Sequence, residues 1–316
     1  MNAPRTARPH VRAIATLLAA ALLALPLAGC GAKPAQTTTA PAVKTAAFPV
    51  TITDDASRTV TIDSEPKRIV SLAPANTEIA YSLGIMDRLV GVTTWDDYPA
   101  QVKEIAKVGD FTTPNIEAIA GAQPDVILIT GGVQADVLSK LEAVGAKVIV
   151  IDPQDLEGVY AAIGTVAEAT GTKAKGDEVV AGMKQDLADV TAKLAGAAPV
   201  PAFIEIGWGP LFTAGPGTLL DDLLATAGGA NVVKEKGYVG YSVEQLVTDQ
   251  PDVYLGTLSS IVDAKALPKR PGYSAISAVK TGRVFALDDN LVSRPGPRVV
   301  EGVREIAAVL HPDLFK

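Results

Sequence analysis

A twelve-residue segment occurs twice in this chain. Asn115 to Val126, NIEAIAGAQPDV, aligns without a gap on Ser242 to Val253, SVEQLVTDQPDV, at an offset of 127 residues. Each copy reads as one device: Asn115 or Ser242 is a good N-cap, Glu117 or Glu244 falls in the first helical turn, Gln-Pro-Asp stops the helix, and an apolar strand follows. A helix–stop–strand unit that recurs at this distance constrains the fold to two similar α/β lobes. The glutamates admit two readings. A carboxylate in a first turn gains about 0.3 to 1 kcal/mol from the helix dipole and needs no further purpose. Alternatively, one copy per lobe gives two matching negative posts on one face.

The rest of the pattern agrees with two lobes. Val50–Thr53 and Thr59–Ile62 alternate like strands around a polar loop, Asp54–Arg58, an opening hairpin. Short apolar runs at Ile69 to Leu72, Leu89 to Val92, Val126 to Thr130 and Val148 to Ile151 then alternate with helical spacing at Thr77 to Leu83, Ile116 to Ala122 and Ala135 to Val144. A second series has strands at Ala202 to Ile206, Val232-Val233, Val253 to Gly256 and Val284 to Leu287. Its helices are expected at Thr218 to Thr226, Val243 to Val247 and Arg298 to Leu310. Alternation at this interval predicts α/β lobes with mostly parallel sheets. Between the series, Leu156 to Leu194 carries no strand signal and predicts two helices broken near Gly171. The second, from about Lys173 to Leu194, would be roughly 33 Å long at about 1.5 Å per residue, long enough to brace two lobes. The expected partition is a leader at 1–29, a tether at 30–47, one lobe at 48–154, linker helices at 155–196 and a second lobe at 197–316.

The N-terminus is a targeting segment. Arg5, Arg8 and Arg12 precede an uncharged apolar run, Ala13 to Leu25, which is secretion-signal anatomy. At about 1.5 Å per residue the run covers roughly 20 Å, short of a roughly 30 Å hydrocarbon core. It ends in Leu27-Ala28-Gly29-Cys30, which resembles the bacterial lipobox, in which the cysteine is lipidated and becomes the first mature residue. The other reading is cleavage near Ala28 with Cys30 left as a free thiol. The chain's one cysteine stands where the lipid motif needs it. Gly31 to Ala47 is rich in Ala, Thr and Pro and reads as a tether on the order of 23 Å in span.

Charge and residue counts exclude several functions. The chain carries 28 basic and 35 acidic side chains, and the leader removes three arginines and no acids, so the mature part is net −10. Such a chain gives no electrostatic footprint for nucleic acid. One cysteine forms no internal disulfide, and two histidines, of which His10 leaves with the leader, build no multi-histidine metal site. A Gly-x-Ser-x-Gly elbow and a Gly-Lys-Ser/Thr phosphate loop are both missing, so no catalytic residues are assigned and the chain reads as a binder, not an enzyme.

Aromatics make up 5% of the chain, and seven of the fifteen fall in segments that read as loops between strand and helix. These are Trp95, Tyr98 and Phe111 in the first lobe and Trp208, Phe212, Tyr238 and Tyr241 in the second. In open α/β sheets ligands bind beyond the carboxyl ends of strands, where such loops sit. Any one of them is ordinarily a packing residue; a set drawn from both lobes suggests a cleft lined by flat, rigid surfaces. Ser293 to Arg298, SRPGPR, sets two arginines on a stiff loop, suited to solvent exposure and capping or to an anionic ligand group.

These motifs, in this order, resemble the substrate-binding proteins of bacterial ABC importers for vitamin B12, iron-siderophores and haem. The similarity covers about residues 48 to 316 and runs through IVSLAPANTE at 69–78, TTWDDYP at 93–99, NIEAIAGAQPD at 115–125, PLFTAG at 210–215, GGAN at 228–231, the second glutamate segment at 242–252 and SRPGPR at 293–298. The resemblance implies two α/β lobes joined by a long rigid helix with ligand in the cleft between them. It implies that Glu117 and Glu244 dock on the two permease subunits, and that Trp95, Phe111, Tyr238 and Arg294 lie near ligand, with Trp208 and Phe212 added from their loop position. It departs at Thr130, where the corrinoid-binding members carry a tryptophan. The implied ligand is a small-molecule metal chelate, a corrinoid such as cobalamin or alternatively a ferric siderophore or haem, held without a protein metal ligand or resident cofactor. The implied partners are an ABC permease dimer with its ATPase. The expected protein is a monomer anchored to the cell membrane through lipid on Cys30 and facing the periplasm or the cell exterior.

Overall fold

The computed structural model describes residues 48–316 apart from Val262. The leader, Cys30 and the tether therefore lie outside the described residues. The first lobe opens with the expected hairpin, β1 (Val50–Thr53) and β2 (Thr59–Ile62), paired antiparallel. Its sheet consists of β3 (Ile69–Ser71), β4 (Leu89–Gly91), β5 (Val126–Ile129) and β6 (Lys147–Val150), all parallel in the order β4-β3-β5-β6. Helices α1 (Pro74–Ser82), α2 (Ile116–Gly121) and α3 (Leu138–Glu142) connect the strands. Val-Ile-Leu-Ile in β5 is buried at every position, as a parallel strand covered on both faces requires.

Helices α4 (Leu156–Ala169) and α5 (Lys173–Lys193) follow, broken at Gly171 as the sequence predicts. Gly176 lets the two approach closely: a Cβ there would sit 2.5 Å from the Ala167 Cβ. The second lobe holds β7 (Val200–Gly207), β8 (Phe212–Ala214), β9 (Gly229–Asn231), β10 (Tyr238–Gly240), β11 (Val253–Thr257) and β12 (Val284–Leu287). Strands β9, β7, β11 and β12 are parallel neighbours, while β8 and β10 extend the sheet antiparallel beyond β7. Helices α6 (Leu219–Thr226), α7 (Val243–Asp249), α8 (Ser277–Thr281), α9 (Asp289–Val292) and α10 (Val299–Leu310) complete it. Helix α5 packs on α4 on one side and on α10 on the other.

Strand periodicity divides the apolar side chains among three clusters. Ile69, Val126, Leu128 and Ile149 of the first sheet and Ala202, Ile204, Val253 and Leu255 of the second belong to one continuous core, together with α4, α5, α6 and α10. The alternate residues point away from it: Val70, Ile127 and Val148 into a flanking cluster of the first lobe, Phe203 and Tyr254 into one of the second. The lobes thus share a core instead of hanging from a bare linker. Removing a large side chain from it would cost roughly 2–5 kcal/mol.

Local departures from expectation have local causes. Helix α1 begins three residues early because Pro74 occupies its first turn, where the missing N–H is harmless. The strand expected at Val232-Val233 lies at β9 instead, since the Asn231 side chain accepts the Val233 N–H and ends the ladder. The first three residues of the helix expected over 135–144 belong to a 3-10 turn, Gly132–Val137. The segments around Phe212 and Tyr238 form β8 and β10, where the sequence predicts loops.

Candidate functional site

Between the lobes, at the carboxyl ends of the parallel strands, lies a cavity of about 830 Å³, within the range of small-molecule sites. The first lobe contributes the start of α1, Trp95, Asp110–Thr112, Thr130 and Ile151–Gln154. The second contributes Leu219, Tyr238, Ser259, Asp289–Asn290 and Ser293–Pro295.

Trp95 is the most exposed large apolar side chain of the described residues, at 62%. Its indole N–H donates to Asp110 Oδ2 at 2.6 Å, which fixes the ring. Asp110 is itself held by the Thr112 N–H and hydroxyl, and these bonds with the indole keep its carboxyl below the usual carboxylate range. A flat ring locked from behind and open in front is a stacking platform. Phe111 and Tyr238 line opposite walls and are themselves related by the 127-residue offset of the repeat. Burial first, and then the charge of Asp152 opposite, pushes the Tyr238 phenol up.

Of the residues assigned to the ligand from sequence, Trp95, Phe111, Tyr238 and Arg294 line this cavity, and Trp208 and Phe212 are not among its lining residues. Trp208 lies edge-on to Tyr273, with the Arg270 guanidinium 4.3 Å from its ring centre. Arg270 in turn pairs with the fully buried Glu205 at 2.6 Å, which also accepts from the Tyr254 hydroxyl. Phe212 sits in β8 between β7 and β10.

Arg294 lines the cavity with its charge already engaged. It pairs with Glu78 at 3.0 Å and Asp97 at 2.6 Å, while Arg298 makes a two-pronged contact with the same Glu78 at 2.8 and 2.9 Å. Glu78 is 2% exposed on α1 of the first lobe, so the SRPGPR loop clasps one lobe to the other. Arg298 also lies over the Tyr98 ring at 4.1 Å. The hydrogen bonds it donates to Glu78 keep the Arg298 guanidinium firmly protonated.

The two glutamates occupy matching positions. Asn115 accepts the Ala118 N–H and Ser242 the Gln245 N–H, each at 3.0 Å, so both predicted caps form. Glu117 and Glu244 lie exposed one turn in, without an ion pair among the described residues. Gln123 and Gln250 both turn left-handed, at φ 48° and 44°, to stop their helices. The aromatic on the cavity wall precedes the glutamate by six residues in each lobe, Phe111 before Glu117 and Tyr238 before Glu244.

Several lining residues escaped the sequence reading: Asn76, Asp110, Asp152, Ser259 and Asp289. Asp152, Ser259 and Asp289 stand within two residues of the carboxyl ends of apolar strand runs, a position that marks ligand contacts in open α/β sheets. Among the described residues no group of three His, Cys, Asp or Glu side chains is placed to hold a metal ion, and no helix is long and apolar enough to cross a membrane.

Two α/β lobes over a shared core, with an aromatic-lined cavity at their strand ends, have the form of a two-lobed small-molecule binding protein. The comparisons agree: a family model described as periplasmic binding protein matches residues 69–291. The chain belongs to that family. It is 40% identical over 311 residues to the ABC transporter substrate-binding lipoprotein YvrC of Bacillus subtilis, covering 96% of this chain and 97% of the relative. It is 29% identical to a cobalamin-binding protein of Halobacterium salinarum, over 96% of this chain and 85% of that protein. The crystal structure of the periplasmic vitamin B12 binding protein BtuF of Vibrio cholerae superposes with a TM-score of 0.70 at 28% identity, covering 79% of this chain and 99% of BtuF.

Proposed function

We propose that this protein is the extracytoplasmic substrate-binding lipoprotein of an ABC importer and that its cleft captures cobalamin or a related corrinoid for delivery to the permease. The observation that carries the ligand is the wall itself. A corrin is a broad, largely apolar disc with amide fringes, and the cavity sets the locked Trp95 ring, Phe111 and Tyr238 around about 830 Å³. The cobalamin-binding and B12-binding relatives support this reading. Trp208 and Phe212 then serve the ligand only by shaping the second lobe. A ferric siderophore or haem is the alternative within the family. It would draw on Arg294, whose guanidinium is occupied by Glu78 and Asp97.

Glu117 and Glu244 are the docking posts for the two permease subunits: both are exposed, lack an ion pair among the described residues, and follow a cavity aromatic by six residues. Lipid on Cys30 anchors the protein, residues 30–47 tether it, and the lobes at 48–154 and 197–316 flank linker helices at 155–196. The protein acts as a monomer and returns its ligand unchanged; the cleft carboxylates of Asp110 and Asp289 are oriented by neighbouring hydroxyl and N–H groups. Calorimetric titration of the full chain with cyanocobalamin, cobinamide, ferric siderophores and haemin tests the ligand. Tight corrinoid binding is expected. Silence toward corrinoids with tight binding of a ferric chelate would overturn it.

A further inference from the structure

Charge in the cleft is distributed unevenly. Asp110, Asp152 and Asp289 line the cavity against one cation, Arg294. That cation is balanced by Glu78 and Asp97. None of the three cavity aspartates takes part in an ion pair among the described residues; their partners are neutral. Asp110 accepts from Thr112 and the Trp95 indole, Asp289 from the Ser259 N–H and hydroxyl at 3.0 and 2.7 Å, and Asp152 from the Thr130 hydroxyl at 3.3 Å. The charge of Asp152 is felt across the cleft: after burial, it raises the Tyr238 phenol.

A second group in the same wall asks for something different. Asn76, on the first turns of α1, lines the cavity and is 1% exposed, and its Nδ2 has no hydrogen-bond partner. A buried donor left unmade costs roughly 1–3 kcal/mol, a cost that an oxygen acceptor on a ligand would remove. The wall therefore wants an acceptor at Asn76 and donors at the aspartates.

Resting on the chelate-capture reading, we propose that the cleft selects ligands with a carboxamide periphery and rejects those with a carboxylate periphery, and that Asp152 is a principal determinant of this choice. A carboxamide offers both halves: its carbonyl can meet Asn76, its N–H₂ the aspartates. A carboxylate offers acceptors only and brings negative charge toward three like charges. Unit charges several ångströms apart at a half-solvated site repel enough for a penalty on the order of five- to tenfold in Kd for each amide replaced by acid. Thr130 belongs to the same device, since its hydroxyl donates to the Asp152 carboxylate at the end of β5.

The test uses one ring system and changes only its fringe. Cyanocobalamin and its mono- and dicarboxylic acids, made by hydrolysing side-chain amides, are titrated into the full chain at low and high salt, with haemin and a ferric tris-catecholate in parallel. Affinity is expected to fall at each amide-to-acid step, the steps are expected to shrink in high salt, and Asp152→Asn is expected to reduce them, read as the ratio of Kd between acid and amide congeners within each variant. Equal affinity for amide and acid congeners, or tighter binding of haemin or the catecholate than of cyanocobalamin, overturns the selection while leaving chelate capture intact. Unchanged steps in Asp152→Asn overturn the assignment to that residue. No binding of any of these chelates overturns the capture reading and the selection with it.

Discussion

The two lobes carry the same helix–stop–strand device, the same cap geometry and a cavity aromatic at the same distance from the exposed glutamate, yet they hold their buried carboxylates differently. In the first lobe Glu78 is satisfied from across the cleft, by Arg294 and Arg298. In the second, Glu205 Oε2 is held within its own lobe by Arg270 and Tyr254, while its buried Oε1 has no partner among the described residues. The duplicated part sets up two matching walls; the unduplicated ion pairs decide what each lobe is fastened to. Charge pairing across the cleft thus adds to the shared apolar core in fastening the two lobes together.

The sharpest way to break the comparison is to remove each carboxylate in turn. Glu78→Ala strands Arg298, 18% exposed, and leaves the 14% exposed Arg294 only Asp97, and is expected to cost about 3–5 kcal/mol in urea unfolding. It should also speed hydrogen exchange in α1. Glu205→Ala should cost a similar amount but loosen only the turns around Arg270 and Tyr273. If it frees α1 as well, the two carboxylates are not separately employed.

Trp95→Ala removes the one fixed stacking platform and is expected to weaken corrinoid binding by about 2 kcal/mol, roughly thirtyfold, by calorimetry. Arg294 variants give no comparable readout of ligand contact, because they also break the clasp. Phe111→Ala and Tyr238→Ala sharpen the symmetry between walls. Each should cost on the order of 1 kcal/mol of affinity, and a loss confined to one of them would show that ligand leans on a single lobe. The smallest effect on the isolated protein is expected at the posts. Glu117→Ala and Glu244→Ala should leave ligand affinity unchanged and stability lower by about 0.3–1 kcal/mol. Uptake through the cognate permease should fall with each and further with both. Lost ligand binding with normal uptake would contradict the docking role.

Much of the fold was legible because it rests on local rules. Buried runs such as Val126–Ile129, caps at Asn115 and Ser242, and the break at Gly171 are each decided within a few residues. The antiparallel β8 and β10 were not, since three-residue strands containing Gly240 and Ala214 carry no readable alternation and form only where β7 offers an edge. The site was legible in part for the same reason. Trp95, Phe111 and Tyr238 stand out as scarce aromatics beside recognisable motifs. Asn76, Asp152 and Asp289 are ordinary residues made notable only by what they face.

The sequence by itself determined that there are two α/β lobes, that a long helical span joins them, and that each lobe presents a capped helix with an exposed glutamate. Periodicity and capping act over one or two turns, and those signals survive in one dimension. Only the tertiary structure decided that Arg294 and Arg298 are spent on Glu78, that Trp208 packs against Arg270 away from the cavity, and that the cleft keeps an excess of carboxylates. Pairings between residues more than 200 positions apart, such as Glu78 with Arg294, depend on which charges the folded chain brings within a few ångströms. Electrostatic attraction at that range is a property of the fold, and spacing along the chain does not encode it.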